Sequence, residues 1–162
     1  MDTHARPLEP DDGARLEAID RAYAAAYGLE PRGGPASLRY FARSGHAFVA
    51  VGAAGVLGFV LAQAQFDGER ATVVAHRLAT EPPGDPEALS ALLKALTKSA
   101  YDAGVYDLRV ELPSEDLAGA AALSVEGFAA TPTVVSARYL GSRAASVAAA
   151  GAVATGDGGE HG

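Results

Sequence analysis

Residues 47–66 form a stretch of twenty without a charge, and a chain can place such a stretch either across a membrane or inside a folded core. Its composition decides between the two. Gly52, Gly55 and Gly58 interrupt it, Gln63 and Gln65 stand two apart as on one face of a strand, and Val49, Val51, Val56, Phe59 and Val60 favour extended backbone. Two strands around a glycine-containing turn, residues 46–52 and 56–66, satisfy this pattern better than a membrane helix. Asp67-Gly68 signals a second turn, into a third antiparallel strand over residues 70–80. The centre of the chain therefore reads as a three-stranded meander.

On the N-terminal side, residues 4–9 read as a short strand. Pro10-Asp11-Asp12 then offers an aspartate cap to a helix carrying Leu16, Ile19, Tyr23 and Ala26, which Gly28 stops. A shorter helix follows Gly33-Gly34, with Pro35 in its first turn and Leu38, Phe41 and Ala42 on one face. After the meander the period changes. Residues 81–86 are a breaker cluster, and Leu89, Leu92, Leu93, Leu96 and Ala100 recur beyond it at helical spacing, with Asp85 as cap and Pro86 at the first position. Gly104 ends that helix, and residues 105–112 alternate as a half-buried strand. Strand, helix and strand make a crossover that sets the two strands parallel, so the sheet is mixed. Ser114 is the expected cap of a last helix reaching Val125. Residues 128–131 and 133–140 read as a closing strand pair around Pro132. Residues 142–162 are an Ala/Gly-rich tail with too little apolar surface to fold, or at most a fraying helix.

Composition removes several kinds of chemistry. With no cysteine, the chain has no disulfide, thiolate nucleophile or zinc-thiolate site. The net charge of −7, with 13 basic residues scattered and without a run, argues against nucleic acid as a partner. No apolar stretch follows the basic residues of the N-terminus, so the cytoplasm is the expected location and no membrane partner is expected. His4, His46, His76 and His161 lack metal-ligand spacing, and no metal is expected. Gly52-x-x-Gly55-x-x-Gly58 lies between two strands and opens no helix, which denies it the mechanism of a phosphate loop.

The order strand, helix, helix, meander, helix, strand, helix, two strands over residues 4–140 resembles the GNAT superfamily of acyl-CoA-dependent N-acyltransferases. Arg6-Pro7-Leu8 followed by Asp11-Asp12 is similar to the usual opening of these proteins, and Gly127-Phe128 after a small-residue helix to their late Gly-Phe signature. The resemblance implies an α/β (α+β) domain over residues 1–141, with a central mixed sheet of about seven strands and helices on both faces. It also implies acetyl-CoA or another acyl-CoA as co-substrate, and a small-molecule or protein amine as acceptor. A homodimer is a further expected partner. By the same resemblance, the main chain at Leu78, Ala79 and Thr80 would receive the pantetheine arm and the oxyanion, and residues 84–88 would cradle the pyrophosphate.

Here the residues depart from the family pattern. Where the family has Gln/Arg-x-x-Gly-x-Gly/Ala, this chain has Pro83-Gly84-Asp85-Pro86-Glu87-Ala88. Only Gly84 and Ala88 are permissive, Pro86 removes a donor, and Asp85 and Glu87 bring negative charge to an anion's place. An ordinary capped helix start is the competing reading of this loop. Leu123 stands where many members carry a tyrosine acid; Tyr101, Tyr106 and Tyr139 are substitutes or simple packing residues. His76, mid-strand, and Glu81 and Glu111, near the ends of the two parallel strands, are the candidate proton acceptors, or else a hydrogen-bonded ring and two solvated carboxylates. An N-acetyltransferase is thus expected first. The alternative is a GNAT-like domain without catalysis that binds a ligand or dimerises. A V-shaped opening between the two parallel strands would separate both from an unrelated regulatory fold.

Overall fold

In the computed structural model, which describes residues 2–141, the uncharged stretch forms the middle of a sheet. β2 (Phe48–Gly52) and β3 (Gly55–Phe66) make the hairpin, and β4 (Ala71–Thr80) completes the meander. β1 (His4–Pro7) pairs antiparallel with β2, while β5 (Leu108–Val110) pairs parallel with β4, giving the order β1-β2-β3-β4-β5. No helix among the described residues is long and apolar enough to cross a membrane. The run of apolar residues is explained by burial on both faces of the sheet. Alternation sends Phe59 and Leu61 to one side and Val60 and Ala62 to the other, and each side has its own core.

Helices α1 (Gly13–Tyr27) and α2 (Pro35–Ala42) cover the first side, where Leu16, Ile19, Tyr23, Leu38 and Phe41 pack on Val49, Phe59, Leu61 and Ala79. Helix α3 (Pro86–Asp102) covers the second. Its Leu89, Leu92, Leu93 and Leu96 are buried on Val60, Ala62, Val73, Ala75 and Leu78, each worth roughly 1.5–3 kcal/mol of transfer free energy. The helix starts as its sequence dictates: the Asp85 carboxylate accepts from the Glu87 and Ala88 N–H groups, and Pro86 follows in the first turn. Helix α4 (Leu117–Val125) adds Ala122 and Leu123 to the edge of this core.

The C-terminal part differs from the sequence reading. The chain divides into two compact units between Ala129 and Ala130, and residues 130–141, the described part of the second, hold no regular secondary structure. Among the described residues the sheet accordingly has five strands, not seven: neither the strand expected at residues 128–131 nor that at 133–140 forms. Alternating side chains mark the face a strand would bury, but a strand exists only where its main chain finds a partner, and Pro132 removes one donor from this segment. For the same reason β5 is three residues long where eight alternate, since β4 pairs with it only over Val73–Ala75. Helix α4 is capped by Asp116, which accepts from the Gly119 N–H at 2.9 Å, rather than by Ser114. The tail expected at residues 142–162 lies outside the described residues.

Candidate functional site

β4 and β5 begin side by side and then part. Their register runs from Val73↔Leu108 to Ala75↔Val110, closed by the Glu111 N–H donating to the Ala75 carbonyl at 2.9 Å. On the other side of β4, Ala75 pairs with Ala62 and Arg77 with Leu61, so His76 is an extra residue, a β-bulge. From the bulge to Thr80, β4 has no strand partner on its β5 edge among the described residues. The Glu81 N–H donates to the Leu57 carbonyl at 2.7 Å; alternation then turns Arg77 and Ala79 toward β3, and the N–H and C=O groups of Leu78 and Thr80 toward the unpaired edge. This is a wedge between parallel strands, of the kind where α/β folds receive ligands. On the opposite edge, Gly58 lets β3 approach β4 beside Thr80: a Cβ there would lie 2.7 Å from the Ala79 carbonyl oxygen.

Two of the three candidate proton acceptors meet at the bulge. His76 Nδ1 is 3.6 Å from Glu111 Oε1, and its Nε2 is 3.1 Å from Gln63 Nε2. The Tyr40 hydroxyl donates to Gln63 Oε1, which orients the amide so that its nitrogen donates to His76 Nε2 and leaves the ring proton on Nδ1, toward Glu111. A line Tyr40, Gln63, His76, Glu111 thus crosses α2, β3, β4 and the end of β5, from an exposed hydroxyl to a half-exposed carboxylate. Glu81 is elsewhere, ion-paired with Arg15 of α1 at 3.0 Å. Leu123 packs on the α3 core, while Tyr101 and Tyr106 meet edge to face, 5.8 Å apart and exposed, by the far end of α3.

Beside this line lies a buried polar cluster that sequence reasoning missed. Arg77 and Asp20, both almost fully buried, approach to 3.3 Å between Nε and Oδ1. Arg77 Nη2 donates to the Glu30 carbonyl at 2.6 Å, and Asp20 Oδ2 accepts from the Arg32 and Gly33 N–H groups. Burial pulls the guanidinium below its ordinary value, and the Asp20 carboxylate opposes that pull. The guanidinium also lies 5.9 Å from the Tyr23 ring centroid. The Tyr23 hydroxyl donates to Asp116 at 2.6 Å and Tyr27 approaches the same carboxylate at 3.4 Å; burial, reinforced by Asp116, raises both phenols. Asp116 therefore ties the start of α4 to α1, while Ala118 sits against the β4–α3 loop, where a Cβ on Gly84 would come within 2.7 Å of it.

That loop is closed upon itself. Thr80 Oγ1 accepts from the Gly84 N–H at 3.0 Å and the Asp85 N–H at 3.2 Å, and donates to the Pro82 carbonyl. Asp85 Oδ1 takes the N–H groups of Glu87 and Ala88 at 3.0 and 3.2 Å, and Pro86 has none to offer. All four donors that a pyrophosphate would use are thus engaged by side chains, and two carboxylates stand where its charge would lie. The unpaired edge of β4 fits a pantetheine arm; residues 84–88 as arranged do not fit the diphosphate. No three metal-ligating side chains gather among the described residues.

A five-stranded mixed sheet bulged and splayed at its parallel pair, with two helices on one side and α3 on the other, defines the GNAT-like acetyltransferase fold. Within that class the chain belongs to the family described as "Protein of unknown function (DUF1999)", whose model matches residues 29–153. It is similar to wild-type TTHA1254 from Thermus thermophilus, at 41% identity and a TM-score of 0.71 over 86% of this chain and 99% of that one. Two more distant crystal structures share the fold. An aminoglycoside acetyltransferase, HMB0005, from an uncultured soil metagenomic sample is 22% identical with a TM-score of 0.62, over 86% of this chain and 99% of its own. A predicted acetyltransferase with acetyl-CoA from Clostridium acetobutylicum is 16% identical with a TM-score of 0.63, over 84% and 96%. No curated protein matches the chain significantly.

Proposed function

We propose that the chain is an N-acyltransferase that moves an acyl group from a thioester to an amine of a small molecule or a protein. One observation carries this reading: past the His76 bulge, β4 has no partner among the described strands on the edge where Leu78 and Thr80 turn their main-chain N–H and C=O groups. An amide-containing thioester arm can add to that edge as a strand would, and an N–H there can donate to the carbonyl oxygen as it gains charge. The amine lone pair attacks the thioester carbon; the C–N bond forms, the C–S bond breaks and its electrons stay on sulfur. We assign Glu111, oriented beside His76 where the wedge begins to open, to accept the amine proton, which ends on the thiolate to give a free thiol. The likeness to acetyltransferases, one of them determined with acetyl-CoA, supports the donor class.

The test is calorimetric titration with acetyl-CoA and CoA, followed by thiol release across a panel of amines. The reading expects thioester binding, amine-dependent thiol release, and a loss of about 10²–10⁴-fold in turnover for Glu111→Gln with binding retained. The absence of binding by any thioester at millimolar concentration sinks it. A second reading, a ligand-binding domain without catalysis, is favoured by the self-capped loop and by Leu123 at the place of the tyrosine acid; it expects binding without thiol release.

A further inference from the structure

We infer that the donor recognised in this wedge is a neutral acyl-pantetheine thioester, and that the β4–α3 loop selects against the nucleotide half of acyl-CoA. The inference rests on the acyltransferase reading and narrows its donor. Three features of the loop carry it.

The first is donor supply. A pyrophosphate at a helix start is held by N–H groups that have no other partner. Here the Thr80 hydroxyl holds those of Gly84 and Asp85, the Asp85 carboxylate holds those of Glu87 and Ala88, and Pro86 lacks one. A diphosphate would have to break these bonds to enter. The second is charge. The Asp85 and Glu87 carboxylates occupy the first turn of α3, where the helix dipole already favours them, and Thr3 Oγ1 lies 3.4 Å from the Glu87 carboxylate. Of the cations on α3, the first is Lys94, two turns along, and it faces Glu126 at 4.0 Å. The third is space: Ala118 lies against Gly84, held there by the Asp116 tether to Tyr23, so one face of Gly84 is closed to a phosphate. None of these obstructs the edge of β4. The pantetheine stretch of a donor needs only main-chain partners at Leu78 and Thr80, and among the described strands none pairs with those groups on the β5 side.

The experiment compares S-acetyl-pantetheine, S-acetyl-4′-phosphopantetheine and acetyl-CoA by calorimetry on the full chain and on Glu87→Gln. That substitution is at an exposed side chain and leaves the helix cap in place. The neutral thioester is expected to bind the full chain at least as tightly as acetyl-CoA, with the phosphorylated arm no tighter than the neutral one. Glu87→Gln is expected to strengthen acetyl-CoA about two- to fivefold while S-acetyl-pantetheine changes less than about twofold. Acetyl-CoA binding more than about threefold tighter than S-acetyl-pantetheine would make the loop a nucleotide cradle; that overturns the inference and leaves the acyltransferase reading standing. Failure of all three thioesters to bind removes both.

Discussion

The two sides of the sheet solve the same packing problem by different means. Against α3 the interior is apolar except where His46 meets Ser99, with the leucines of α3 packed on valines, alanines and Leu78 of the sheet. Against α1, an equally buried surface holds Asp20, Arg77 and Tyr23, with Asp116 reaching in from α4. An apolar side can slide or repack at modest cost, whereas the buried guanidinium, with Nε and Nη1 lacking hydrogen bonds among the described residues, depends on Asp20 staying 3.3 Å away to balance its charge. The polar side is also the one that adjoins the wedge. Stiffness is thus placed where β4, α1 and the start of α4 must keep a fixed spacing, and adaptable packing where only burial is needed.

Breaking the ion pair is the strongest way to expose this difference. Asp20→Ala leaves the Arg77 guanidinium buried without its counter-charge and releases the N–H groups of Arg32 and Gly33, so urea unfolding should show a loss of about 3–5 kcal/mol. A paired Asp20→Leu, Arg77→Met replacement removes both charges and should recover most of that loss. If the pair costs as much as the single change, the stiffness comes from side-chain shape and not from charge. A smaller effect is expected at the tether. Tyr23→Phe keeps the ring and deletes the hydroxyl that reaches Asp116; stability should fall by about 1–3 kcal/mol, and amide exchange should quicken in residues 116–120. Unchanged exchange there would mean that Ala118 against Gly84 holds α4 without help.

These two sides were unequally legible in the sequence. Leu89, Leu92, Leu93 and Leu96 declare their helix and its buried face by spacing alone, and the glycines of residues 47–66 declare the hairpin. The wedge needed only the order of elements. The polar cluster had no local sign, because Asp20 and Arg77, or Tyr23 and Asp116, are partners only after the chain has folded. The bulge at His76 hides the cluster further, since one inserted residue breaks the period-two alternation and leaves the side to which Arg77 turns unreadable. Of the proton acceptors, His76 and Glu111 meet because the splay begins between them, and Glu81 is drawn off by Arg15, a partner 66 residues away. The strands expected after Gly127 were read from the local pattern around Pro132, which says nothing about pairing.

The smallest expected effect separates the two sides by pH. His46, buried beside Ser99 of α3 with Nδ1 2.9 Å from its hydroxyl, has its pKa lowered by burial. Between that lowered value and the unfolded value of about 6.5, the unfolded chain binds a proton the folded chain does not, so stability declines as pH falls through this window. Asp12 lies on the α1 side. Burial alone would raise its carboxyl, but the two-pronged hydrogen bond from Arg6, at 2.7 and 2.8 Å, and the Glu9 N–H outweigh burial and hold it below the ordinary range. Its contribution is complete above about pH 4 and is lost as pH falls through the lowered folded value. Urea midpoints measured from pH 8 to pH 3 should therefore decline in two stages. His46→Gln should flatten the upper stage and leave the lower one, because Asp12 titrates against the fixed charge of Arg6 and not against α3. A single decline that His46→Gln leaves unchanged would mean that the imidazole is protonated in the folded chain and that the α3 side yields to acid no sooner than the charged one.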